Sequence, residues 1–312
     1  MGSLVSVLAF VAGAIIVVVA TERLLEGLVG VARATRLAPF VVSAVLSGLE
    51  AENVAVGLAA GADGHGEIAL GTAFGGATFL ICVALGLGAL IAPLRVTLPK
   101  GIVALLAAAP VVAGVALAGP TTPRWGGLVL LVAFSGAMAY LVRASRDHRF
   151  VEVTEANDEP EEARPIWQWL AITGAGVAAI TLGGELVARG ATGIISAFGV
   201  PALLMGMVVT PAAIEAEEVV RQVIPAKRGF HDIAAGNVIG TVLYFSLFNL
   251  GLIALLTPVA VPHLTVTLEW PYLVAVCWLA SAMLWRNAVT RINGAILLGL
   301  GVVYAALHVV LR

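Results

Sequence analysis

Apolar residues fall into long blocks separated by short clusters of charge and turn residues, and the blocks have the length that a helix needs to cross a bilayer, roughly 17–25 residues. The pattern predicts ten spanning helices, over about 3–20, 39–61, 68–93, 101–118, 125–142, 168–188, 200–221, 233–258, 270–286 and 292–311. Met1 to Ala20 lacks the positively charged start of a secretory signal and runs straight into a repeated block, so it reads as the first span. The one long polar stretch, Arg143 to Pro165, carries Arg146, Asp147, Glu152, Glu155, Asp158 and further charges, and reads as a solvated linker. The expected organisation is therefore a first five-span half over 1–143, a charged linker over 144–167 and a second five-span half over 168–312.

Composition agrees with this pattern. Hydrophobic types make up 60% of the 312 residues and charged types 12%, against about 25% charged in soluble domains; mean hydropathy is +1.03. The expected class is an all-α polytopic membrane protein whose partners include the lipid bilayer. A net charge of −2 without a basic stripe gives no reason to expect a nucleic-acid partner. Cys82 and Cys277 both sit in apolar spans and read as small buried hydrophobes. No permanently bound cofactor is expected, and the oligomeric state is left open.

Basic residues set the orientation. Of the 17 lysines and arginines, all but Arg124, Arg189 and Arg312 fall in the odd-numbered loops, Arg221 counted among them. Positive charge marks cytoplasmic loops, which predicts a multi-pass plasma or inner membrane protein with a cytoplasmic linker and both termini outside.

The two halves repeat. Glu22, Gly27 and Gly30 match Glu185, Gly190 and Gly193, and Glu67-Ile-Ala-Leu-Gly71 with Gly75 matches Asp232-Ile-Ala-Ala-Gly236 with Gly240. Halves with an odd number of spans must repeat in inverted orientation, the arrangement in which secondary transporters place a midplane site at the repeat interface. The repeat cores run over about 39–93 and 200–258.

Each core carries acid inside an apolar span: Gly48-Leu49-Glu50-Ala51-Glu52-Asn53 in the first, Glu215-Ala216-Glu217-Glu218 in the second. A charged residue at mid-membrane costs about 2.5–3.5 kcal/mol on insertion scales and is a functional residue by default. Helical residues turn by about 100° each, so Glu50 shares a face with Asn53 and Glu215 with Glu218. Gly48 and Pro211 suggest interrupted helices, whose freed carbonyls join the carboxylates as hard oxygen ligands for Na⁺, Ca²⁺ or Mg²⁺. Buried carboxylates also carry protons. Any single glutamate reads alternatively as a protonated structural donor. Gly71, Gly75, Gly76, Gly236 and Gly240 read either as close helix packing or, with Asn237 and Thr241, as the lining of the cavity. Glu22 and Glu185 read as facing the interface or pairing with arginines, rather than as ligands of transported ions.

These motifs resemble those of the cation/calcium exchanger superfamily, whose spans carry Gly-Thr-Ser-Leu-Pro-Glu and then Asp-Ile-Ala-Leu-Gly-Asn-Val-Ile-Gly-Ser-Asn. Asp232-Ile-Ala-Ala-Gly-Asn-Val-Ile-Gly240 is similar to the second motif, and Glu67-Ile-Ala-Leu-Gly-Thr-Ala-Phe-Gly75 is a looser copy. The resemblance implies ten helices in two inverted five-helix repeats. It places the metal-binding glutamate on Glu218 in the second half. In the first half it falls on Asn53, or on Glu52 in a Gly-x-x-x-Glu register. Leu49, Leu80 and Phe245 stand where the family has polar ligands, so hydroxyls and amides are lost while carboxylates are gained. The expected function is a secondary active antiporter rather than an enzyme. It would exchange Ca²⁺ or another divalent cation for Na⁺ or H⁺ at a cage of Glu50, Glu52, Asn53, Glu215, Glu217 and Glu218. A uniporter or channel of the same fold, and a membrane enzyme using these glutamates as acids and bases, remain as alternatives.

Overall fold

The computed structural model describes residues 3–46, 51–147, 164–197 and 216–310. Among them the chain is helical apart from short connections, and seven helices are long and apolar enough to span a membrane. The helices are α1 (Ser3–Thr35), α2 (Pro39–Leu46), α3 (Ala51–Ala62), α4 (Gly66–Ile91), α5 (Lys100–Ala116), α6 (Arg124–Asp147), α7 (Ile166–Ala197), α8 (Ala216–Lys227), α9 (His231–Leu256), α10 (Thr265–Trp285) and α11 (Arg291–Val310). Two-residue strands β1 (Leu94–Arg95) and β2 (Ala288–Val289) pair antiparallel. Large apolar side chains such as Leu8, Ile15, Val132, Leu182 and Val302 point outward, as a lipid-facing surface requires. The chain is a multi-pass membrane protein.

Two helices are much longer than the apolar blocks that predicted them. α1 continues fifteen residues past Ala20 to Thr35, because Leu24, Leu25, Leu28, Val31 and Ala32 keep a buried helical stripe beyond the polar Thr21-Glu22-Arg23. It stops where Arg36 turns to a positive φ of 56° and Leu37 N–H bonds back to the Ala32 carbonyl, a Schellman-type end ahead of Pro39. α7 extends in the same way and lies along α1. Their backbones touch through glycine: a Cβ on Gly13 would stand 2.6 Å from the Gly183 carbonyl oxygen, and one on Gly190 2.4 Å from the Phe10 nitrogen. This pair has its own core of Ala20, Leu24, Leu28, Trp169 and Ile180, joined by Val42 and Ile233. The remaining helices share a second, larger core.

Within that larger body, helices from the N-terminal and C-terminal parts of the chain interlock. α6 packs on the last turns of α9, and α11 on the last turns of α4. The contacts are glycine to glycine in both places. A Cβ on Gly127 would meet the Gly251 carbonyl at 2.7 Å, and one on Gly294 the Gly86 carbonyl at 2.5 Å. The β1–β2 pairing has a counterpart in the bridge between Thr121 and Ala260. α4 and α9 each carry one π-helical stretch, at Leu80–Ala84 and Tyr244–Asn249, a local widening often retained where a helix lines a site.

α2 and α3 cover the described parts of the predicted second span. α2 lies against α9 so closely that a Cβ on Gly236 would come within 2.3 Å of the Phe40 carbonyl oxygen, and one on Gly240 within 2.3 Å of that of Ala44. Ser43 Oγ donates to the Ile233 carbonyl at 2.8 Å, and Tyr244 Oη to the Val45 carbonyl at 3.0 Å, which satisfies an acceptor at the end of α2. Gly236→Ala is expected to destabilise the protein by about 1–3 kcal/mol, since the added methyl meets backbone that cannot move aside. Gly71→Ala, whose Cβ would have no neighbour nearer than 4.0 Å, is expected to leave the melting temperature in detergent no lower than that of the wild type.

Candidate ion-binding site

The acids of the second cluster that fall within the described residues sit on α8. Glu218 is 1% exposed and Glu217 7%, in a helix packed against α9, the second half of α4 and the α1–α7 pair. Successive positions on a helix diverge, so the two carboxylates leave α8 in different directions. Glu218 reaches Asn237 on α9, whose Nδ2 donates to Glu218 Oε2 at 3.0 Å. Glu217 lies under α7: the Cβ position of Gly184 is 2.1 Å from Glu217 Oε2, so a larger residue there would push the carboxylate aside.

A third charged group completes the cluster. Arg221, 5% exposed, extends back along α8 and its Nη1 donates to Glu218 Oε1; the same nitrogen is 3.8 Å from Glu217 Oε1. The positive-inside tally places Arg221 in a cytoplasmic loop, whereas the structure buries it among the acids. The signal was present in the sequence, since positions 217, 218 and 221 have the i,i+4 and i,i+3 spacing of helix-surface ion pairs. Gln222 follows it at 0% exposure, its amide without a hydrogen-bond partner among the described residues, its stem against Gly88 of α4.

Gly48, Glu50 and Glu215 lie outside the described residues, as does the side chain of Glu52, whose backbone belongs to the first turn of α3. Asn53 is half-buried one position on. Thr241 is fully buried one turn along α9 from Asn237, with its hydroxyl unbonded among the described residues; Ser246 and Asn249 Oδ1 are in the same state. Gly76 packs on the Phe245 ring, 2.8 Å from its would-be Cβ.

Gly71 and Gly75 face a separate polar group that the sequence reading overlooked. Glu269 on α10, 9% exposed, accepts from Thr265 Oγ1 at 2.8 Å and stands 3.5 Å from His308 Nε2 of α11. The would-be Cβ atoms are 4.0 Å from Glu269 Oε1 for Gly71 and 3.8 Å from the Tyr304 hydroxyl for Gly75. Glu22 and Glu185 pair with Arg228 and Arg189 at exposed positions, one of the two roles expected of them.

Comparison with known proteins places this architecture. Residues 5–143 and 168–310 match the sequence model of the sodium/calcium exchanger protein family. The chain is 25% identical to the Escherichia coli inner membrane protein YrbG, over 89% of this chain and 88% of YrbG. It is 26% identical to CaxA of Alkalimonas amylolytica, a protein whose name proposes antiporter activity, over 82% of each. Its fold is that of the sodium-calcium exchanger NCX_Mj. One structure of NCX_Mj soaked in Na⁺ without Ca²⁺ aligns with a TM-score of 0.81 at 21% identity, covering 99% of this chain and 100% of that one. Another, soaked with neither ion, gives 0.82 at 20% identity and 99% of each chain.

Proposed function

Because this chain belongs to the sodium/calcium exchanger family, and so to the cation/calcium exchanger superfamily of antiporters rather than to an enzyme family, we propose that it exchanges Ca²⁺ or another divalent cation for Na⁺ or H⁺ by alternating access. The observation that carries this reading is Glu218, an acid 1% exposed inside an apolar bundle and held by Asn237 from the neighbouring helix. A carboxylate is retained in such surroundings when its charge is used. The acting cage consists of Glu50, Glu52, Glu215, Glu217 and Glu218 with Asn53, and Glu52 and Glu218 are its principal metal ligands.

The architecture we infer is ten spans in two inverted five-helix halves, 1–143 and 168–312, joined by the linker 144–167. The exchanged contacts support it: α6 on α9 repeats as α11 on α4, Gly127 on Gly251 as Gly294 on Gly86, and the Thr121–Ala260 bridge as β1–β2. The protein resides in the inner or plasma membrane with both termini outside and the linker in the cytoplasm. That YrbG is named as an inner membrane protein agrees with this. The moving part is the α1–α7 pair, which has a core of its own and touches the acids through Gly184. Its sliding would expose the cage to one side and then the other.

The test is flux in proteoliposomes, with Ca²⁺, Mg²⁺, Na⁺ and H⁺ set against one another pairwise. Uptake of ⁴⁵Ca²⁺ that requires an outward Na⁺ or H⁺ gradient is the expected result. Uptake that proceeds equally without any counter-ion identifies a uniporter, and absence of flux under every gradient rules out transport of these ions.

A further inference from the structure

We propose that Arg221 is a tethered counter-cation, occupying at Glu218 one of the monovalent-cation seats of the exchange site. The inference rests on the antiport reading of that site and adds to it what fills the site when no ion is bound.

Three observations carry it. Glu218 has both oxygens engaged, Oε1 by the Arg221 guanidinium and Oε2 by the Asn237 amide at 3.0 Å. All the charged partners are buried, Glu218 at 1%, Arg221 at 5% and Glu217 at 7% exposure, so water does not neutralise them. The guanidinium also has a second landing place on the same helix, Glu217 Oε1, 3.8 Å from Nη1.

The chemistry follows from these contacts. A guanidinium stays charged at any pH the protein meets. A divalent ion needs carboxylate oxygen at about 2.3–2.6 Å, which Glu218 Oε1 cannot offer while it accepts from Arg221. Asn237 here presents its NH₂, a donor, where a metal would need the amide oxygen. A cation that enters therefore displaces Arg221 toward Glu217, and the guanidinium returns when the cation leaves. Glu217, Glu218 and Arg221 together carry one net negative charge, so the seat removes one monovalent counter-ion from the exchange ratio.

The experiment compares wild type, Arg221→Gln and Arg221→Lys. The full chain is purified in detergent, titrated with Ca²⁺ while thermal unfolding is followed, and then reconstituted. Arg221→Gln is expected to lower the half-saturating Ca²⁺ concentration at least tenfold and to raise the number of monovalent ions exchanged per Ca²⁺ by one, read from the reversal potential. Arg221→Lys keeps the wild-type ratio. If Arg221→Gln unfolds without Ca²⁺, it is purified in Ca²⁺ and its half-saturating concentration is read by chelator titration, with the same expectation. A folded Arg221→Gln that binds Ca²⁺ no more tightly than wild type, with the ratio unchanged, overturns the proposal and makes Arg221 a structural staple. If the wild type moves no cation while Arg221→Gln is stabilised by Ca²⁺, antiport fails and the tethered cation stands.

Discussion

Glu218→Gln is expected to abolish cation exchange and to lower the thermal stability of the protein. Both losses come from one carboxylate. As a ligand, Glu218 supplies part of the negative charge of the cage inside an apolar bundle. Losing about 3 kcal/mol of cation binding is about a hundredfold in affinity. As a partner, it receives the Arg221 guanidinium and the Asn237 amide. Removing one member of a buried ion pair costs about 3–5 kcal/mol, because the other charge stays buried. Glu217, 3.8 Å from the same nitrogen, offsets part of that and puts the expected loss at the lower end. Glu218→Asp keeps the charge on a shorter stem, so it should recover most of the stability and only part of the flux. A Glu218→Gln protein with wild-type exchange rates would remove Glu218 from the site while leaving the fold untouched.

The same pair of residues shows what the sequence could and could not convey. Acid inside an apolar run is a strong signal because its cost has no structural use, and it led to Glu217 and Glu218 directly. Arg221 was hidden by its position near the end of a block, where a basic residue ordinarily marks the loop side. Charge counting uses position along the chain and is blind to the direction a side chain takes. Only the helical spacing from 217 and 218 contained the ion pair, and Arg221 stands close enough to satisfy it. Glu269 escaped for the opposite reason: it is a single acid in its stretch of sequence, and the His308 it faces comes from another helix. The lengths of α1 and α7 were underestimated at Thr21-Glu22-Arg23 and at Arg189. There, charge ends the apolar block but not the helix, since Glu22 and Glu185 turn outward to Arg228 and Arg189 while the glycines and leucines stay inward. The glycines were recognised as a repeat, yet which of them pack against backbone could not be read from spacing. Gly236 and Gly240 meet the carbonyls of α2, whereas Gly71 and Gly75 have room around them.

Gly184→Leu is expected to stop exchange in a protein that still folds, and its neighbour Gly183→Leu to do the reverse. The two positions are adjacent on α7 and point to different partners. The would-be Cβ of Gly184 is 2.1 Å from Glu217 Oε2 and 3.0 Å from its Cδ, atoms at the far end of a side chain that can swing away. A leucine there displaces the carboxylate and fills the space between the α1–α7 pair and the acids with apolar bulk. The cation then loses a ligand and the α1–α7 pair loses its freedom to slide over the cage. The fold loses little, because no backbone is pushed. At Gly183 the would-be Cβ meets the methyls of Ile16 and Val17 at 2.9 Å and the Gly13 carbonyl oxygen at 3.1 Å, all within the α1–α7 contact. Overpacking of that kind costs about 1–3 kcal/mol, so Gly183→Leu should melt earlier, with exchange retained below its melting temperature in proportion to the folded fraction. Flux and melting temperature measured on both variants separate a plugged site from a forced interface. Equal loss of flux at both positions with equal loss of stability would mean that α7 contributes to transport only as a packing element, and that Glu217 lies beside the ion's path rather than on it.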